Sequence, residues 1–176
     1  MTDDGQAAPP TVVEAAAMGD HDAFARIMAT HDSDMTRICM VVCGDLQVAR
    51  DAVQAAWPIA WRRLGSLRDP ARLRPWLMSI AANEARQIVR TEGRRHRREL
   101  QGTSRLPPDP AERVERLDLV AAVRRLSPDE RRLIALRYVA GLTSSEMAQE
   151  LGGSPASVRG RLARLIERLR KDIGDD

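Results

Sequence analysis

Residues 141–171, GLTSSEMAQELGGSPASVRGRLARLIERLRK, constrain the fold more than any other stretch, because their punctuation admits two short helices joined by one tight turn. Thr143 and Glu146 have the T-x-x-E spacing of a capping box, in which the hydroxyl satisfies an orphan amide and the carboxylate reaches back to the cap. Met147, Ala148 and Leu151 supply an apolar stripe at helical spacing, and Gly152-Gly153 ends the helix where a left-handed backbone costs least. Ser154 caps the next helix, and Pro155 falls at its first position, where the missing amide hydrogen is not needed. The expectation is helix, turn, helix, with the second helix running on towards Lys171.

On that second helix Val158, Leu162, Leu165, Ile166 and Leu169 share one side at about 100° per residue and must pack inward. Ala156, Ser157, Gly160 and Arg164 lie opposite, flanked by Arg159 and Arg161. Small residues allow close approach to the floor of a DNA groove, Arg pairs two-pronged with guanine, and the helix amino end favours phosphate. An amphipathic surface helix with a solvated arginine face would show the same stripe. The two capped starts and the glycine turn favour the groove-reading helix, with Ser157, Arg159, Gly160, Arg161 and Arg164 as its DNA-facing residues.

Charge along the chain is sorted. Residues 1–61 hold three basic and nine acidic groups, 62–105 twelve and four, 106–130 four and six, and 131–176 nine and six. A net charge of only +3 therefore hides an acidic first block suited to a basic protein partner and two basic zones suited to nucleic acid. Apolar residues make up 43% of the 176, enough for packed cores in one medium or two small domains. No apolar run approaches the roughly 20 residues of a membrane span, and the amino end lacks the basic-then-apolar pattern of an export signal, so the expected compartment is the cytoplasm. Cys39 and Cys43, four apart in an expected helix, are too widely held for a structural disulfide and fit reduced, buried thiols.

Strand signals are nearly absent and helix starts recur, as in Asp69-Pro70 and Ser127-Pro128-Asp129-Glu130. The expected fold is all-α: two small helical domains joined by a Pro-containing linker, the second a helix-turn-helix domain. Residues 1–11 form a disordered tail, 12–100 the first domain, 101–110 the linker, and 111–176 the second domain. Within the first domain short helices are expected at 12–18 and 22–31, a longer one from near Asp34 to Gly44, another from about Gln47 through Trp61, a turn or short helix at 70–76, and a long basic helix from Leu77 to about Arg98. Pro58 inside a helix deletes one ladder bond and clashes with the preceding turn, for about 3 kcal/mol, so a kink or break is expected near Trp57. Trp57, Trp61 and Trp76 are expected in the core, as nearly the only large fillers beside one Phe and one Tyr.

The order of these parts resembles a bacterial RNA polymerase sigma factor of the extracytoplasmic-function type. LSPDERRLIALRYVAGLTSSEMAQELGGSPASVRGRLARLIERLRK is similar to the family's fourth region almost position by position. RDAVQAAWPIAW resembles its D-x-V-Q-E segment with aromatics following, and RPWLMSIAANEAR its W-L-x-x-I-A-x-N stretch. The resemblance implies a dissociable specificity subunit without catalytic residues. Its first domain would bind core RNA polymerase and open the minus-ten element, its second would read the minus-thirty-five element, and an anti-sigma factor would commonly hold it inactive. Asp51 and Gln54 match polymerase-binding positions, while position 55 departs, being Ala where Glu is common. Asn83 matches the family's asparagine; its amide offers donor and acceptor to a base edge, in a pocket shared with the loop at 65–72, and Arg86 and Arg90 would track backbone phosphates of the melted strand. The run Arg94, Arg95, Arg97 and Arg98 would sit on duplex phosphates, and the acidic segment 106–130 in a basic channel of the polymerase. No cofactor or metal is implied.

Two other readings compete. A self-sufficient regulator would use the same helix-turn-helix, but such proteins usually dimerise on paired half-sites, and no heptad seam is present. A thiol or zinc enzyme would need Cys39 and Cys43 joined by ligands from His21, His31 or His96; no second ligand pair is near in sequence and no carboxylate is placed as a base.

Overall fold

The computed structural model describes residues 11–99 and 121–174, with side chains described up to residue 91 and from 121 to 173. Among the described residues there is no strand. Four helices make a first group: α1 (Val12–Ala17), α2 (His21–Cys43), α3 (Leu46–Arg63) and α4 (Leu73–Glu99). Short 3-10 turns at Leu64–Ser66 and Pro70–Arg72 carry the chain from α3 to α4. The second group begins in α5, described at 121–125, and continues with α6 (Pro128–Ile134), one π-helical turn (Ala135–Val139), α7 (Ser144–Leu151) and α8 (Pro155–Gly174). The expected linker, and the boundaries placed at 100, 101, 110 and 111, lie outside the described residues, as does the tail up to residue 10. Thr11, grouped with that tail by composition, instead caps α1 in a full capping box with Glu14.

The first group is held by α2, α3 and α4 packed on one another. Ala49, Ala52, Ala56 and Ala60 lie along one face of α3, and Ala81, Ala82 and Ala85 on α4, all with no exposed surface. Such short side chains let helices approach closely, and Met35, Ile38 and Val42 of α2 join Leu77 and Met78 of α4 in one buried cluster. Two sulfurs sit in this seam: Cys39 Sγ donates to the Ala81 carbonyl at 3.4 Å and Cys43 Sγ to the Ala85 carbonyl at 3.9 Å.

Two local expectations fail here. The helices expected at 22–31 and from Asp34 are one helix, because the polar run between them contains neither Gly nor Pro. Its polar groups also find partners, with Asp34 bound to Arg37 and Asp32 accepting from Trp57 Nε1 at 2.9 Å. The helix stops where the glycine signal stands, at Gly44 with φ 76°, and Asp45 caps the next. The break expected at Pro58 does not occur: α3 runs unbroken through it. Pro58 faces solvent while Ala56, Trp57 and Ala60 on either side are buried, so packing holds both halves helical and offsets the lost ladder bond.

Of the three tryptophans, Trp57 and Trp76 are buried and Trp61 only partly. Trp57 and Trp61 do not stack on each other. Both meet Phe24 edge-on, with ring centroids 5.8 and 4.8 Å away, and Trp61 also stacks on His21 at 4.8 Å.

The second group follows its local signals closely. Ser127 with Glu130 and Thr143 with Glu146 both form complete capping boxes, Gly152 and Gly153 take φ values of 75° and 105°, and Ser154 Oγ accepts from the Ser157 amide at 3.1 Å. Val158, Leu162, Leu165 and Leu169 are buried, and Ile166 partly, against Leu133, Leu136, Met147 and their neighbours. Hydrogen bonds from the Thr143 amide and hydroxyl hold the Glu146 carboxyl below its usual range. For Glu130, burial pulls upward, but its bond with Arg168 and those from Ser127 outweigh it and leave the carboxyl lowered.

Candidate nucleic-acid interface

The helix-turn-helix presents the expected face outward. Ser157, Arg159, Arg161 and Arg164 are exposed, and Gly160 is half-buried, with Arg164 Nη1 3.7 Å from where a Cβ would stand. Burial of Val158 and Leu162 on the other side of α8 fixes this orientation, since turning the arginines inward would turn the leucines out. The result is a basic, low-relief helix face free of ion-pair partners at Arg159, Arg161 and Arg164 among the described residues, so its donors remain available to an acceptor.

On α3, Asp51, Gln54, Ala55 and Pro58 are all exposed and lie one to two helical turns apart on one side. Asp51 accepts from Gln47 Nε2 at 3.2 Å and otherwise faces solvent. The two candidate polymerase contacts therefore share a face, which Ala55 leaves one carboxylate short.

The third set of residues is placed differently from a simple open surface. Asn83 and Arg86 are half-buried, Arg90 is exposed, and the side chains of the Arg94–Arg98 run lie outside the described residues. Arg86 Nη2 donates to Asn83 Oδ1 at 3.2 Å, while Arg86 Nη1 donates to Asp129 Oδ1 at 2.8 Å, across to the start of α6. Asn83 lines a cleft of about 250 Å³ with Trp76, Ser79, Glu84, Arg132 and Glu150. The 66–69 loop lines a neighbouring cleft of about 230 Å³ that shares Trp76 and Glu150. Asn83 and the loop thus meet across Trp76, a residue the sequence reading assigned only to the core.

Sequence reasoning missed the contact between the two helical groups. Arg74 donates to Asp34 of α2 and, through Nη1, to the Ala140 carbonyl at 2.6 Å, closing the end of the π-helical turn. Arg131 Nη1 reaches the Cys43 carbonyl at 3.5 Å, and Arg72 pairs with Glu150 at 3.6 Å. The partners that join the two groups are 66 to 88 residues apart, so no local pattern announces them. Arg132 lies in the same seam with neither hydrogen bond nor ion pair among the described residues, and its Nε is shielded from solvent. Burial first, and the adjacent Arg86 second, pull its guanidinium down to about 10. A cleft of about 460 Å³ opens along this seam, lined by Arg86 and Arg132 and, from α8, by Arg161, Arg164 and Arg168. Arg86 is the one residue of the first group in this lining, and Arg161 and Arg164 border the cleft while remaining exposed.

The cysteines do not make a reactive site. Cys39 is fully buried and burial pushes its thiol up, away from the thiolate that nucleophilic or metal chemistry requires. Its bond to the Ala81 carbonyl accounts for it as a packing residue.

Comparison with known proteins agrees with the two-part architecture. Residues 27–95 match the family described as Sigma-70 region 2, and residues 116–169 match Sigma-70, region 4. The chain is 31% identical to the RNA polymerase sigma factor CarQ of Myxococcus xanthus over 89% of its own length and 92% of that protein's. It is 33% identical to the probable RNA polymerase sigma factor RfaY of Xanthomonas campestris over 90% of its length, but spans only 42% of that relative. In fold it is similar to the sigma factor RpoE of Bartonella quintana, solved with the anti-sigma factor NepR (TM-score 0.68, 22% identity, covering 87% of this chain and 98% of that one). It is also similar to CnrH, solved with the cytosolic domain of CnrY (TM-score 0.64, 26% identity, 94% and 96%). The capped helix-turn-helix, the sorted charge and these matches lead to one assignment: the chain belongs to the extracytoplasmic-function sigma factors of the sigma-70 family.

Proposed function

We propose that the chain binds core RNA polymerase and directs it to a subset of promoters. In this reading the first helical group opens the minus-ten element and the second reads the minus-thirty-five element. The observation that carries it is the α8 face: Ser157, Arg159, Arg161 and Arg164 are exposed together on the second helix of a helix-turn-helix, opposite a fully packed apolar side. Asp51 and Gln54 contact the polymerase through the acidic block, where charge complementarity sets partner choice and encounter rate. Asn83, Arg86 and Arg90 serve the melted strand, Asn83 through its amide and the arginines through phosphates. The chemistry of chain synthesis belongs to the polymerase, so this subunit needs no catalytic residue.

The polymerase and DNA place its work in the cytoplasm; among the described residues no helix is long and apolar enough to cross a membrane. An anti-sigma factor is a further partner in this reading, supported by the similar RpoE structure, which is a complex with the anti-sigma factor NepR.

The deciding experiment is promoter binding and run-off transcription with and without the core enzyme. Specific binding and initiation that need the core support the reading; specific binding by the chain alone would make it a self-sufficient regulator. Within it, Arg159→Ala or Arg161→Ala should cost about 1–3 kcal/mol of discrimination between matched and mismatched minus-thirty-five sequences, read from competitive binding of the holoenzyme. A loss equal on all sequences would reassign that arginine to phosphate contact.

A further inference from the structure

The cleft of about 460 Å³ carries a set of groups that promoter reading leaves unused. All of its lining except Arg86 belongs to the second helical group and comes from α6, α7 and α8. Five arginines and two carboxylates stand around it. Asp129 engages Arg86 at 2.8 Å and Glu130 engages Arg168, so both carboxylates are already committed. Arg132 of α6 and Arg161 and Arg164 of α8 have no ion-pair partner among the described residues, which leaves the cleft three positive charges in excess. Arg86 Nε and Arg132 Nε are shielded from water without a hydrogen-bond acceptor. Leu133, Leu151 and Leu165 complete the lining with an apolar patch beside these guanidinium groups.

We propose that this cleft is a binding site for a nucleoside diphosphate, with the phosphates on Arg132, Arg161 and Arg164 and the base against the leucines. Two linked phosphates carry roughly three negative charges near neutral pH, because the terminal one is almost doubly ionised, and this matches the excess in the cleft. A guanidinium is a planar fork that takes two oxygens of one group, so forks supplied by two helices suit a chain of phosphates better than a single one. Pyrophosphate alone would leave the leucines uncovered. A planar base covers them and can also stack on an arginine plane, and the cleft falls within the range of about 300–1,000 Å³ typical of sites for small organic ligands.

Arg132 is the residue that most needs such a ligand. Its burial and the repulsion of Arg86 outweigh the attraction of Asp129 and Glu150. A charged side chain held in that position gains from a bound anion what the chain itself does not supply. Arg161 and Arg164 are shared with the proposed promoter face, whereas Arg132 lies on a different helix and is not part of that face. Nucleotide binding therefore does not rest on the promoter reading, and Arg132 is the position at which the two can be told apart.

The test is calorimetric titration of the full chain with ADP, pyrophosphate and AMP, without magnesium and at about 0.15 M salt, where diffuse attraction to exposed charge is screened. ADP should bind saturably, one per chain, and about tenfold or more tightly than pyrophosphate or AMP, because only ADP meets both the arginines and the leucines. Arg132→Met and Arg164→Ala should each weaken ADP about tenfold, as the loss of one charge-assisted contact gives, while Arg170→Ala, the same charge change at an exposed site on α8 outside the cleft, should change it less than about twofold. Circular dichroism melting establishes that each variant is folded, and Arg164→Ala, at an exposed residue, carries the test if Arg132→Met is not. Absence of saturable ADP binding overturns the site. Equal losses in Arg132→Met and Arg170→Ala overturn it as well, since they would mean diffuse attraction to a basic surface. Pyrophosphate binding as tightly as ADP overturns the nucleoside part of the assignment. None of these failures touches the promoter reading, which stands or falls on the dependence of specific DNA binding on the core enzyme.

Discussion

The two helical groups are stabilised by different means. In the first, α2, α3 and α4 close on a seam of alanines, with Met35, Ile38, Val42 and Leu77 fully buried, and the caps at Thr11, Asp20 and Asp45 are added to a large core. In the second, α6 and α7 are short and the apolar core is thinner, and two capping boxes with the Glu130 to Arg168 bond fix where those two helices start and how α6 meets α8. Burial tolerates changes of pH and salt; carboxylate caps do not. A helix-turn-helix whose helices are set by caps keeps its exposed arginine face in register without a large core, at the cost of sensitivity to acid.

The comparison is most sharply broken by core truncation. Leu77→Ala should cost about 2–5 kcal/mol in chemical denaturation, because Leu77 is fully buried and its truncation leaves a cavity in the core. A loss below about 1 kcal/mol would mean that the first group is not burial-dominated.

Next in size is the seam between the groups. Arg132→Met should stabilise the chain by about 1 kcal/mol, since burial of the guanidinium and repulsion from Arg86 outweigh the attraction of Asp129 and Glu150, and Met keeps the apolar stem. A lower Tm in that variant would show that Arg132 has an acceptor whose contribution outweighs its burial.

The caps come third. Glu146→Gln should cost about 1 kcal/mol, felt in the second group alone and read by amide exchange in α7. The pH dependence has a definite sign. Glu130 and Glu146 are lowered in the folded state, so the stabilisation they give is complete above their unfolded value of 4.5 and is lost as pH falls through the lower folded values. Both are largely solvated, so each contributes less than about 1 kcal/mol. On acidification from pH 6 to 3, α6 to α8 should lose protection before α2 to α4; simultaneous loss would abolish the distinction.

The smallest effect concerns the acidic face of α3. Ala55→Glu restores the carboxylate that this face lacks beside Asp51 and Gln54, and should tighten binding to core polymerase by about two- to fivefold at low salt, fading as salt rises. No change would move the contact elsewhere on the first group.

What the sequence made legible follows from range. Caps and glycine turns act over three or four residues, so Ser127, Thr143, Gly44, Gly152 and Ser154 could be assigned from spacing alone. The α8 face was legible for the same reason, its periodicity being a property of one helix. Pro58 was misjudged because its local cost is set against burial of Trp57 and Ala60, which depends on α2 and α4. The polar run at 30–34 was misjudged likewise, since the hydrogen bond from Trp57 to Asp32 spans 25 residues. Arg86 was identified as a candidate, but its engagement with Asp129, 43 residues away, was beyond any local signal.

The alanine seam carries one more consequence. At Ala49, Ala52, Ala56, Ala60, Ala81, Ala82 and Ala85 there is no room for a longer side chain, so drift at these sites is closed off by sterics alone. The outward side of α3, carrying Asp51, Gln54 and Ala55, is under no such restriction. With the outward face as the proposed polymerase contact, partner choice is free to vary on one side of a helix whose other side cannot, and affinity can be retuned without rebuilding the frame that presents it.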